Sequence, residues 1–433
     1  MQSRTEILAS EFCSSVRDGT HDSPKEVLSG GKPLVTTKHL KGGKIDFDKT
    51  YNISEEDFDK INKRSKVDKW DVLISMIGTV GEVYLVEEEP DYAIKNLGLF
   101  KVGDELNSKW LYFYLKSKLG QNQIRFLLQG STQQYISLTS LREFPIFVPN
   151  DDKEKQKVIN ILSALESKIK LNQKMNETLE EIAKILFKSW FIDFDPVRAK
   201  AEGRPTGLSK EISDLFPDSF EDSELGEIPS GWKVENIGNS FEVLLGGTPS
   251  RKKEEYWDGD IPWINSGEIN NFRVIRPSEF ISDKGFKNSS TKLLPKRSTL
   301  IAITGATLGQ VSLNEIEVCA NQSVIGIPPS KNVMPEYVYL WICFSIQKLI
   351  SSQTGGAQQH INTNNVREHL ILLPKAECND YLKNLLTPVF NKISNNLFEI
   401  QTLSEIRETL LPKLISGELK IPDAENLVGE AGI

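Results

Sequence analysis

GSTQQYISLTSLREFPIFVP, residues 130–149, returns as GGAQQHINTNNVREHLILLP, residues 355–374, without a gap and 225 residues later. Gln133 and Gln134 fall on Gln358 and Gln359, Ile136 on Ile361, Arg142 on Arg367, Glu143 on Glu368 and Pro149 on Pro374. A match of this length within one chain marks an internal duplication, and a repeat governs every other reading of a fold. The copies extend in both directions. WDVLISMIGTVGEV (70–83) aligns with STLIAITGATLGQV (298–311), pairing Thr79 with Thr307 and Gly81 with Gly309. Each reads as a strand, a Gly/Thr turn and a second strand. Asn96 then aligns with Asn321, and WLYFYLKSK (110–118) with the helical YVYLWICFSIQKL (337–349).

Each mixed unit leads into a segment of a different kind. Residues 153–190 contain no glycine or proline. Val158, Leu162, Leu165, Ile169, Asn172, Asn176, Leu179, Ala183, Leu186 and Trp190 recur at alternating steps of four and three, the seam of a long helix. Shifted by 224, the second copy gives Leu382, Leu386, Val389, Ile393, Asn396, Ile400, Leu403, Arg407, Leu410 and Leu414. Each seam spans about 50 Å at helical rise. Asn172 and Asn396 hold matching places; a seam asparagine fixes register, or else faces water at a bend. Pro388 predicts a kink or restart in the second helix. One amphipathic helix cannot bury its stripe alone, whereas two in one chain can bury each other. The expectation is an antiparallel pair with a mixed domain at each end and a pseudo-twofold axis. GEIPSGWKVENIG leads into the second mixed domain, and the first shows no such lead-in, which leaves residues 1–16 unassigned.

The 433 residues suggest two to four domains. No secretory signal opens the chain and no apolar run reaches membrane-spanning length, so a cytoplasmic protein without membrane contact is expected. Four scattered cysteines form no CxxC, which disfavours a disulfide framework or zinc site. Net charge is −8, but the charge is uneven. Residues 271–297 carry a balance of +5 and residues 25–49 a balance of +3, against −5 for residues 200–230. Base therefore sits in the repeated units and acid in the linker, a distribution that serves either a solvated surface or nucleic-acid binding.

No catalytic constellation emerges. A phosphate loop with its lysine is absent, as is an adenine-methyltransferase signature, and His21, His39, His360 and His369 complete no metal set. Asp193 and Asp195 read as a helix-exit turn before Pro196 rather than as nuclease carboxylates. The expectation is a chain without catalytic residues, metal or cofactor.

Several unlike motifs in order resemble the specificity subunit of Type I DNA restriction-modification systems. They are the QGSTQQYI and TGGAQQHI elements, LGGTPSRKKEEYWDGDIPWINSGEI, DFDPVRAKAEG, FPDSFEDSELGEIPSGW and the terminal LLPKLISGEL. The resemblance covers nearly the whole chain. It implies a non-catalytic subunit that reads a bipartite double-stranded DNA target with two target-recognition domains. It implies two long helical regions that dock two modification subunits. Those subunits use S-adenosylmethionine to methylate adenine, and restriction subunits, usually two, use ATP and Mg2+ to translocate and cut DNA. The expected fold class is α+β, with two mixed α/β target-recognition domains separated by two long antiparallel coiled-coil helices in a pseudo-twofold repeat. Expected boundaries are 1–150 and 226–375 for the recognition domains, 151–200 and 376–420 for the helices, 201–225 for an acidic linker and 421–433 for a flexible tail. A coiled-coil scaffold with protein-binding terminal domains is the competing reading.

Cations on phosphates give affinity, and polar side chains on base edges give discrimination. Local charge selects Lys25, Lys32, Lys38, Lys41 and Lys44 in the first domain as phosphate contacts. In the second it selects Arg251, Lys252, Lys253, Arg273, Arg276, Lys284, Lys287 and Lys292. Candidate base readers are Thr36, Thr37, His39, Asn265, Ser266, Glu268, Asn270 and Asn271. Gln133, Gln134, Gln358 and Gln359 are common to two domains that should read different sequences. A shared turn or a contact with backbone or partner suits them better than base reading.

Overall fold

A computed structural model describes residues 4–131, 133–351 and 360–430. The chain divides into two compact units, Met1–Leu171 with Ile400–Ile433, and Asn172–Glu399. The fold is two mixed α/β domains with two long helices, Asp152–Phe191 and Ala376–Ser416, each of which contributes to both units.

The two domains share a frame. In the first, an antiparallel sheet runs Ser15–Asp18, Leu97–Lys101, Val72–Ser75, Val83–Leu85. In the second it runs Leu244–Leu245, Val324–Ile327, Thr299–Ala302, Val311–Leu313. Leu97 pairs with Ser75, and Val324 with Ala302. The strands therefore correspond at an offset of 227, one residue from the alignment of Thr79 with Thr307, and Leu97 corresponds to Val324. The cause is the turn. Gly78 and Gly81 (φ 80° and 95°) match Gly305 and Gly309 (φ 69° and 82°), with one extra residue between the second pair. Since a one-residue slip exchanges the faces of a strand, the faces select the structural register: Ile74 and Met76 join the larger core of their domain as Ile301 and Ile303 do, and Leu73 joins the smaller core as Leu300 does.

A second sheet in each domain contains a parallel pair: Lys32–Thr36 beside Ala93–Lys95, and Trp257–Ile264 beside Val318–Ala320. A short antiparallel pair closes each domain. Lys233–Asn236 meets Leu370–Leu373, and Arg4–Leu8 meets Pro145–Pro149. The first domain thus has its own lead-in strand, RTEIL, which its lack of resemblance to GWKVEN concealed.

In its first copy the glutamine element is a turn. Gln129 and Tyr135 exchange backbone hydrogen bonds at 2.8 and 2.9 Å around Gly130, leaving Gln133 and Gln134 exposed. Gln358 and Gln359 lie outside the described residues. Ile136 N–H donates to Met76 O at 2.9 Å and Ile361 N–H to Ile303 O at 3.0 Å, so both copies are pinned to the same strand end. Ser137 and Asn362 then cap matching short helices through Ser140 N–H (3.0 Å) and Asn365 N–H (2.9 Å). Arg142 and Arg367 reach the matching carbonyls of Val16 and Val243 at 3.3 and 3.4 Å.

In the first unit, buried Val158, Leu162, Leu165 and Ile169 pack with Leu403, Leu410 and Leu414. In the second unit, Ala183, Phe187, Trp190 and Phe191 pack with Leu382, Leu386, Phe390 and Ile393. Within each unit the helices run antiparallel. In the second unit the buried stripe departs from the strict seam by one residue: Leu179, Leu186 and Val389 are half-buried, while Glu180, Phe187 and Phe390 are inside. A helix of 3.6 residues per turn departs in this way from a seven-residue repeat, and in the second helix Ile393, Asn396, Leu403, Leu410 and Leu414 return to it. Asn172, Asn176 and Asn396 are all buried, and Asn396 Nδ2 donates to Asn176 Oδ1 at 2.8 Å, so water-facing asparagines are excluded.

The second helix continues through Pro388, against the expected restart. The proline lies on the exposed face, and so does Asn384, whose carbonyl loses its helical partner there. Residues 421–430 form a helix rather than a loose tail, because Ile421, Ala424 and Val428 are buried in the core of the first unit. The acidic stretch is also folded. Phe216 packs on Trp190, and Phe220–Ser223 pairs with Gly226–Pro229. All four thiols are free, with Cys13 in the first unit and Cys319, Cys343 and Cys378 in the second; Cys343 alone is half-buried.

Candidate nucleic-acid interface

Each parallel strand pair ends in a 3-10 turn, and these turns carry the candidate base readers. In the first domain, Thr36 N–H donates to His39 Nδ1 at 3.0 Å, closing the turn Thr37–His39. In the second, Asn265 N–H donates to Glu268 Oε2 at 2.9 Å, and Gly267 N–H to Asn265 Oδ1 at 2.7 Å, closing Ser266–Asn270. Thr36, His39, Asn265 and Glu268 are thereby committed to a capping box at the same place in both frames. His39 is buried, and burial lowers the pKa of its ring. The side chains left at the turns are Thr37 and Lys38 in one domain and Ser266, Asn270 and Asn271 in the other, with Asn270 and Asn271 exposed.

The cations divide similarly. Lys25, Lys38, Lys41 and Lys44 are exposed and make no ion pair among the described residues, whereas Lys32 holds Asp91 at 2.7 Å. Lys41 and Lys44 are direct cross-strand neighbours in a hairpin turned by Gly42 and Gly43 (φ 58° and 74°). Consecutive positive φ values are what a two-residue type I′ turn requires. Like charges in this register repel, and a bound anion relieves them.

In the second domain, Lys252, Arg276, Lys287 and Lys292 are exposed without an ion pair among the described residues. Arg251 binds Glu279 and lies 3.5 Å from the Trp257 ring centroid; Lys253 donates to Tyr256 at 2.8 Å; Lys284 meets Glu255 at 3.1 Å. The ion pairs of Arg251 and Lys284 lie at the surface and are weak enough to exchange for phosphate.

Arg273 departs from the expectation of a phosphate contact. It is only 3 % exposed and cannot meet a phosphate from where it lies. Its Nη2 binds Glu180 on the first long helix, and Tyr339 donates to Glu180 Oε1 at 2.6 Å. Burial opposes the Glu180 charge, but Arg273 and Tyr339 outweigh it and keep the carboxyl below its ordinary pKa. The first domain has a counterpart that the residue pattern alone did not disclose. Tyr112 donates to Glu166 Oε1 at 2.8 Å, and Lys116 to the same oxygen at 2.7 Å. The available signal was a glutamate on the buried stripe facing a tyrosine repeated at 112 and 339.

Among the described residues no group of His, Cys, Asp or Glu could hold a metal ion, and no helix is long and apolar enough to cross a membrane.

A duplicated α/β frame that carries exposed cations and open polar side chains at matching turns has the features of a nucleic-acid-binding protein. The family described as "Type I restriction modification DNA specificity domain" matches residues 10–181 and 229–402, and the chain belongs to it. It is the non-catalytic DNA-recognition subunit of a Type I restriction-modification complex. The HindI specificity subunit of Haemophilus influenzae is 26% identical over 407 residues, covering 82% of this chain and 88% of the relative. The MjaIX specificity subunit of Methanocaldococcus jannaschii is 25% identical over 410 residues, covering 92% and 89%. In fold, the chain is similar to the crystal structure of the S subunit from M. genitalium (TM-score 0.57, 16% identity, 95% of this chain and 96% of the other).

Proposed function

We propose that this chain reads a split double-stranded DNA target, one half through residues 1–150 and the other through residues 226–375. The helical regions, residues 151–200 and 376–420, dock two modification subunits, which methylate adenine with S-adenosylmethionine. Restriction subunits, two per complex, supply ATP-driven translocation and Mg2+-dependent cleavage in the cytoplasm. The carrying observation is one frame with two unlike tips. The capped turn after the parallel strand offers Thr37 and Lys38 in one domain and Ser266, Asn270 and Asn271 in the other. Asparagine pairs with adenine edges, while unpaired lysines hold phosphate and register. The opposed Lys41 and Lys44 support the same reading.

The test is methylome sequencing of cells that carry the chain with its modification subunits. Exchanging residues 226–375 for those of a related chain should replace one half of the methylated motif and leave the other. A change in both halves would refute independent reading. A methylome indifferent to deletion of the chain would favour a scaffold instead.

A further inference from the structure

We propose that Glu180 is a positioning residue for DNA reading: by holding Arg273 in the interior it fixes the 265–273 turn that reads one half-site. The inference rests on the proposed role of that turn.

Three observations carry it. The turn has two ends. One is closed by the Asn265–Glu268 capping box, and the other runs into Arg273. Arg273 is nearly inaccessible, and its guanidinium is gripped from several sides. Nη2 binds Glu180, Nη1 lies 3.3 Å from the Tyr339 hydroxyl, and the Tyr339 ring centroid is 4.7 Å away. Nη1 also donates to its neighbour's carbonyl, Phe272 O, at 2.7 Å, so the buried charge fixes backbone as well as side chain. Ser312 Oγ donates to Asn271 O at 3.1 Å from the adjoining strand. The exposed side chains of Asn271 and Phe272 therefore stand two residues and one residue from an anchor set in the long helix.

The first domain supplies a natural control. There a similar tyrosine–glutamate pair, Tyr112 with Glu166, takes its cations from helices: Lys116, on the same helix as the tyrosine, and Arg407, on the second long helix and 3.9 Å from Glu166. The first domain's hairpin approaches this place with Gly43, whose added Cβ would lie 3.5 Å from the Tyr112 hydroxyl and 3.8 Å from Lys116 Nζ. Both domains thus have a buried acid–cation–tyrosine set. Only in the second does a reading turn provide the cation. Removing one partner of a buried pair leaves the other charge uncompensated, so without Glu180 the Arg273 side chain moves toward water and takes its turn along. Without Glu166 the strain falls on a helix and leaves the first domain's turn in place.

The experiment uses the complex of the full chain with its modification subunits. Methylation is measured on DNA carrying single-base changes in either half-site, and melting temperature is recorded for every variant. Glu180→Gln should raise methylation of sites altered in the half read by residues 226–375 about tenfold relative to the cognate site, the scale of one base-pair discrimination. Discrimination in the other half should not move. Glu166→Gln should lower melting temperature without relaxing either half. Arg273→Lys, which keeps the charge and shortens its reach, should reproduce the one-sided relaxation and serves if Glu180→Gln does not assemble. Equal relaxation by Glu180→Gln and Glu166→Gln, or a uniform loss at all sites, would overturn the proposal. The double variant Asn270→Ala/Asn271→Ala separates the two levels. If it alters the motif while Glu180→Gln and Arg273→Lys do not, positioning is wrong. If it leaves discrimination intact, the turn is not a reader and the underlying reading fails with the proposal.

Discussion

Trp110 and Tyr337 occupy the same place in the two copies and donate to equivalent carbonyls, Phe147 O at 3.1 Å and Leu372 O at 2.6 Å. One turn further on the pair is exchanged: Tyr114 donates to Pro145 O at 3.0 Å, and Trp341 to Leu370 O at 3.0 Å. The duplicated frame needs two aromatic donors spaced i, i+4 above its last strand, and either ring satisfies each place. Trp110→Phe removes one donor and leaves a buried carbonyl unpaired, a cost of about 1–3 kcal/mol. Trp110→Tyr retains a hydroxyl and should recover part of it. Denaturation midpoints of the assembled complex check the order wild type, Tyr, Phe.

Arg4 ties the beginning of the chain to the end of the second long helix. Its Nε and Nη2 donate to Ile415 O and Leu414 O, each at 2.9 Å, and Nη1 meets Glu154 at 2.5 Å. Cationic donors at a helix C-terminus satisfy carbonyls that have no partner within the helix. Arg4→Ala should destabilise the first unit by about 2 kcal/mol. Hydrogen exchange should show faster opening of residues 410–416, and unchanged protection there would contradict the role.

His369 gives the second unit a pH dependence. Ser345 Oγ donates to Trp341 O at 2.7 Å, so its 2.8 Å contact with His369 Nε2 has the ring as donor. Burial, with Lys348 nearby, lowers the ring's pKa to about 4. The folded chain therefore keeps the ring neutral where the unfolded chain, with a pKa of about 6.5, takes up a proton. This contribution is fully present above about pH 6.5 and is lost as pH falls toward 4, at most about 3 kcal/mol. The difference between wild type and His369→Gln in unfolding free energy should follow that window. A difference flat from pH 7 to 4 would remove the effect.

Lys41 and Lys44 provide a salt test. If both contact phosphate, Lys41→Ala/Lys44→Ala should reduce the slope of log K against log salt by about 1.8. Stability should not fall, since the substitution removes a like-charge pair. Binding titrations across salt concentrations read the slope directly.

The repeat, the strand–turn–strand units and the helix seam were legible because each depends on local spacing. Val158, Leu162 and Leu414 need only periodicity to be placed in a core. The lead-in strand Arg4–Leu8 was not legible. Its register comes from Pro145–Pro149, and two-stranded pairing leaves a weak pattern in five residues. Arg273 was misread for a related reason. Composition marks it as one basic residue among seven in 271–297, and only the tertiary fold brings Glu180 and Tyr339 around it. Asn265 and Glu268 are legible as polar residues, and their spacing of three, which also spells a capping box, is what commits them to the turn and not to a base.

The four thiols make the chain its own reporter of opening. Burial pushes Cys13 and Cys378 up to about 12, and Cys319 and Cys343 to about 11. Thiolate is the form that reacts, so an alkylating reagent should find almost nothing to modify while both units are closed. Cys13 alone lies in the first unit, and the other three lie in the second. The increments are therefore unequal: intact-mass spectra should gain one label when the first unit opens and three when the second does, which reveals which half of the molecule yields first under heat or denaturant.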